Sequence, residues 1–126
     1  NQGYRNAREQ EENSGGFCFL TSACVEHAGL PDNCHELTTL RRFRDTYVVR
    51  SSEGEAAIRE YYRVAPLIIT RIHKSERRDA ILAGIFDDVR SAVEKIEAGQ
   101  NETAFAQYRD MVSRLKHELL ELGAAP

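Results

Sequence analysis

Leu82, Ile85, Val89, Ala92 and Ile96 follow one another at steps of three and four residues, and Phe105, Tyr108, Val112, Leu115, Leu119 and Leu122 resume the same spacing after a gap. Apolar groups so placed form a stripe along one side of an α-helix. Two such stripes joined by a turn near Ala98-Gly99-Gln100 predict an antiparallel helical hairpin with a shallow crossing angle. Gly99 offers the C-terminal turn of the first of these helices, Asn101 the N-cap of the second, and Gly123 the end of the stripe. Upstream, Leu37, Leu40, Phe43 and Tyr47 recur at helical spacing behind a capping-box pair, Asn33 and Glu36, so a helix is predicted from Cys34 to Val49. Ser52 with Glu55 repeats that pair ahead of Ile58, Tyr61, Tyr62, Ala65, Ile68, Ile69 and Ile72. Pro66 lies inside this third stripe and brings no N–H to the ladder, which predicts a kink or a short break there. Phe17, Phe19, Leu20 and Val25 make a shorter first helix that Gly29-Leu30-Pro31 ends. No segment alternates with period two for long enough to be a strand. The predicted class is all-α, with about five helices, an N-terminal half rich in Cys, Arg and Tyr packing on the C-terminal hairpin.

Ahead of these helices, residues 1–16 hold three Glu, no aliphatic residue larger than Ala7, and end in Ser14-Gly15-Gly16. They read as a polar arm or linker, with a single helical domain over 17–126 divided into a half at 17–73 and the hairpin at 75–122. No internal repeat is present. The chain has 126 residues, 17 Lys and Arg against 20 Asp and Glu, and a net charge of −3. That balance disfavours nucleic acid as a partner, since neutralising phosphates needs clustered excess Lys and Arg. The longest apolar stretch, Val64 to Thr70, is far short of the roughly 20 residues of a membrane span, and no charged segment precedes an apolar one as in a signal peptide. A soluble chain without a membrane partner is the expectation. Cys18, Cys24 and Cys34 lie close together and none follows, an odd count that favours reduced thiols and a cytoplasmic location.

The chemistry concentrates between Phe17 and Asp45. Cys18, Cys24, His27 and Cys34 supply the four soft or borderline ligands that tetrahedral zinc takes. Their spacing matches no zinc finger, knuckle or ribbon, and a core of this size needs no metal. No cofactor is therefore expected, zinc being the one these residues suit. Cys18 stands where the first helix should begin, and a helix N-terminus stabilises a thiolate. With His35 or His27 as its base it would make a nucleophilic pair, the rival reading being a small core residue. Arg41, Arg44 and Asp45 share one helix face at i, i+3 and i+4, next to the apolar stripe. They read as an internal ion-pair network, or else as a fork of donors for an anion, with Tyr61 and Tyr62 beside them as core aromatics.

Cys18-Phe19-Leu20 with Thr21, Ser22 and Ala23, then Leu40-Arg41-Arg42-Phe43-Arg44-Asp45, Gly54, Tyr61-Tyr62 and Ala65-Pro66, resembles the bacterial CFI-box domain over about Phe17 to Ile69. The chain departs from that pattern in carrying Leu20 where the box has Ile, and in the additional Cys24, Cys34 and Asp32-Asn33. The resemblance implies a small helical domain, often C-terminal in longer proteins, in which Cys18, Arg41, Arg44, Asp45 and the tyrosine pair form one constellation. It supplies no reaction. The leading expectation is a non-enzymatic module that binds a protein partner or a small anionic ligand, followed by a cysteine-dependent enzyme and then a structural zinc domain.

Overall fold

The computed structural model describes residues 18–122, and the chain over them is all-α. The arm at 1–16, Phe17, Gly123 and the side chain of Leu122 lie outside the described residues. Helix α1 covers residues 18–27; α2 spans His35–Thr46, α3 Ser52–Lys74, α4 Arg78–Glu97 and α5 Asn101–Lys116. A 3-10 turn, Val48–Arg50, sits between α2 and α3, and a wider π-type turn, His117–Leu122, prolongs α5.

The hairpin expectation holds: α4 and α5 pack together, α2 lies on α4, and α3 touches both hairpin helices. The positions buried along it are Leu82, Ile85, Val89, Ala92 and Val93 on α4 and Ala104, Phe105, Tyr108, Met111 and Val112 on α5. Ile96, Leu115 and Leu119 of the expected stripes are only partly covered and pack at the margin of the core. Gly29 and Gly99 both take positive φ and close α1 and α4 in the same way. Leu30 N donates to Val25 O and Gln100 N to Lys95 O, satisfying carbonyls that each helix end leaves open.

Three caps fall one residue from their expected places. The N-caps are Cys34, Ser51 and Gln100, not Asn33, Ser52 and Asn101, and of these only Ser51 caps with its side chain, accepting from Gly54 N at 2.9 Å. The second helix also stops short of Val49. The chain tightens into the Val48–Arg50 turn because Val48 must bury its side chain while its carbonyl reaches the first turn of α3, against Gly54. Pro66 neither breaks nor shortens α3, which is α-helical throughout. The residues flanking it, Val64, Ala65 and Ile68, are fully buried. Packing on that face outweighs one missing hydrogen bond.

Candidate functional site

Cys18 opens the described part of α1 and is 1% exposed. Burial pushes its thiol up to about 11, against the pull of the Arg44 and Arg41 guanidiniums and a hydrogen bond from Arg44, with Asp45 pushing the same way as burial. The expected thiolate is thus corrected. The arginines are indeed beside Cys18, but desolvation of a buried anion exceeds their attraction. Arg44 is itself only 8% exposed. Its Nε donates to Asp45 Oδ1 at 2.7 Å, and its Nη1 is buried without a hydrogen-bond partner among the described residues. The expected three-residue face divides here, since Arg41 turns away to Asp32, donating to its carboxylate at 2.9 Å and its carbonyl at 3.0 Å. Arg41 thereby ties α2 to the loop before it.

A guanidinium in this position contributes more through its hydrocarbon stem than through its charge. Arg44→Met should therefore change stability by less than about 1 kcal/mol, and Arg44→Ala, which also removes the stem, should cost about 2 kcal/mol or more. Urea unfolding of the two variants checks this; equal losses would show that the charge carries the effect.

Each histidine offered as a base for Cys18 is held by a carboxylate of α4. His27 Nε2 lies 3.1 Å from Asp79 Oδ1 and His35 Nε2 2.6 Å from Glu97 Oε2, so each binds the N-terminal half to one end of α4. The four residues suited to zinc are not gathered either. Among the described residues no three His, Cys, Asp or Glu side chains assemble into a metal-holding group. Cys24 Sγ donates to Thr21 O inside its own helix, and burial pushes its thiol up to about 12, with Cys34 near enough to add to the effect. Cys34, the N-cap of α2, is half-buried.

The tyrosine pair separates as well. Tyr61 is buried and packs on Tyr108 of α5, ring centroids 5.7 Å apart, whereas Tyr62 is only partly covered. The Tyr108 hydroxyl shares a 2.9 Å hydrogen bond with Thr21 Oγ1, joining α5 to α1 in the core. Burial pushes both tyrosine hydroxyls well above the usual range. The sequence reading missed Thr21 and Tyr108: a threonine flanked by cysteines and a tyrosine on an apolar stripe carry no spacing signal that they pair across 87 residues.

A second feature it missed is a cleft of about 270 Å³ between α3 and α5, lined by Ala56, Ala57, Glu60, Tyr61, Val64, Arg109, Val112, Ser113 and Lys116. Lys116 Nζ donates to Glu60 Oε2 at 3.1 Å and Arg63 Nη2 to both Glu60 oxygens at 2.9 Å, holding the Glu60 carboxyl below the usual range. Arg109 Nη1 donates to Glu53 Oε2 at 3.0 Å, and its guanidinium lies 5.2 Å from the Phe105 ring centroid. The available signal was the seven-residue interval from Arg109 to Lys116, which places both cations on the side of α5 that carries Val112.

No protein-family model matches the chain, and neither a curated protein nor a solved structure does. Among the described residues, no helix is long and apolar enough to cross a membrane.

Proposed function

We propose that this chain is a non-enzymatic binding module in which Cys18, Arg44 and Asp45 organise the helices, while the accessible cleft of α3 and α5 meets the ligand. The observation that supports this most is the state of Cys18: sealed from solvent, held as a thiol, with both candidate bases engaged elsewhere. A nucleophile needs a sulfur that solvent and substrate can reach and a stabilised thiolate, the opposite on the first two counts. The CFI-box assignment belongs to the same proposal. The closeness of Arg41, Arg44 and Asp45 to Cys18 supports it, and the pairing of Tyr61 with Tyr108 gives the tyrosines a different place from the one the resemblance implies. The odd cysteine count supports a reducing, cytoplasmic setting.

Time-resolved alkylation of the folded protein at neutral pH, read by intact mass and peptide mapping beside a metal analysis, tests the proposal. The half-buried Cys34 should be modified first, Cys18 and Cys24 at rates limited by opening of the fold. Rapid modification of Cys18 would overturn the proposal in favour of a cysteine-dependent enzyme. Stoichiometric zinc would overturn it in favour of a structural metal domain.

A further inference from the structure

Resting on the binding-module reading, we infer that the α3/α5 cleft takes a small organic monoanion, its acid group between Arg109 and Lys116 and its apolar body against Ala56 and Ala57. The lining is divided by chemistry. Ala56, Ala57, Val64 and Val112 form an apolar wall and floor, and Ala56 and Ala57 are short enough to leave the space open. The charges on the lining are two cations, Arg109 and Lys116, against one carboxylate, Glu60. Just outside, Arg63 bonds to Glu60, Glu53 to Arg109, and Asp110 lies near enough to act on Tyr61. On the lining itself the excess is one positive charge, which a single acid group neutralises.

Both cations are available at small cost. Arg109 and Lys116 are partly exposed and paired with partly exposed carboxylates, and such pairs contribute little that a ligand must replace. Glu60 keeps both oxygens satisfied by Arg63 when Lys116 turns to a ligand. Phe105, under the guanidinium of Arg109, limits where that group can swing. Seven residues of α-helix set the Cα atoms of Arg109 and Lys116 about 10 Å apart along α5, with Val112 and Ser113 between them, and both side chains reach across toward α3. An acid group drawn to both lies above that stretch of α5, with its hydrocarbon toward Ala56 and Ala57. The volume is near the lower end for small-molecule sites, about 300 Å³ and above, which suits a carboxylic acid of a few carbons or one ring.

The test is titration of the isotopically labelled protein with butyrate, benzoate and the neutral isostere butyramide, following the amide resonances of Ala57, Val64, Val112 and Ser113. Butyrate and benzoate should give saturable shifts confined to these positions in the millimolar range, and butyramide should bind at least tenfold more weakly. Arg109→Gln and Lys116→Gln should each weaken butyrate severalfold with an unchanged melting temperature. Ala56→Leu keeps every charge but fills the cleft, and should abolish the shifts. Butyramide binding as well as butyrate, or shifts that persist in Ala56→Leu, would overturn the inference. So would the absence of any cleft shift with both acids, a failure separable from that of the binding-module reading, which stands or falls on Cys18 alkylation.

Discussion

Replacing Gly54 by alanine should lower the melting temperature by roughly 10 °C or more, the equivalent of about 3 kcal/mol in a chain of this size. A Cβ built at Gly54 would collide with the Val48 carbonyl oxygen and lie 2.8 Å from the Val48 carbonyl carbon and 3.0 Å from Ser51 Oγ. The first two are backbone atoms, so no rotamer change relieves the contact. Either α3 moves away from the Val48–Arg50 turn or that turn unwinds, and Val48, buried in the core, leaves its place in both cases. Gly84 provides the contrast. It lies inside α4 with nothing within 4 Å of a built Cβ, so Gly84→Ala should stabilise the protein by about 0.5–1 kcal/mol through helix propensity alone. Thermal and urea unfolding of the two variants measures opposite signs for the same chemical change, and similar shifts would remove the close approach of Val48 from the account.

Val112→Asp should cost about 2–4 kcal/mol, a large fraction of the roughly 5–15 kcal/mol that holds an ordinary domain folded. Val112 is 4% exposed and belongs to the core cluster on the side of α5 that faces its neighbours. A carboxylate there removes an isopropyl group from the core and must turn outward to the cleft margin, where Arg109 and Lys116 stand, so the loss is that of the core contacts more than of an unpaired charge. The periodicity alone assigns the same penalty to Leu115, but Leu115 is partly exposed at the edge of the packing and its carboxylate can reach water. Leu115→Asp should therefore cost about half as much or less. Glu118→Ala, on an exposed residue, should stay within about 0.5 kcal/mol. Equal losses at 112 and 115 would mean that the hairpin is covered further toward its C-terminal end than the contacts of α5 indicate.

The helices, the turn at Gly99 and the pairing of the last two helices were legible in the sequence because they depend on short-range rules. Apolar spacing near 3.6, a glycine able to take positive φ, and a three-residue connection act within a few turns of chain. The caps were misplaced by one residue for the same reason in reverse: Asn33, Ser52 and Asn101 satisfy the local pattern, and packing of the neighbouring turn selected Cys34, Ser51 and Gln100. Pro66 shows tertiary contacts overriding a local rule, since burial of Val64, Ala65 and Ile68 keeps α3 continuous.

The chemistry was less legible, because charge and reactivity depend on distances that no spacing records. Cys18 has the neighbours the sequence suggested, yet its state follows from desolvation, which only the covering helices impose. His27 and His35 sit close to Cys18 in sequence and bond instead to Asp79 and Glu97, 52 and 62 residues away. Thr21 meets Tyr108, and Arg109 and Lys116 meet Glu53 and Glu60, across comparable separations. Local periodicity thus accounts for which residues face inward. Which buried and half-buried polar groups meet, and whether a thiol there can ionise, is set by how α1, α2 and α3 close on the hairpin, because Coulomb and solvation energies follow position in space rather than order along the chain.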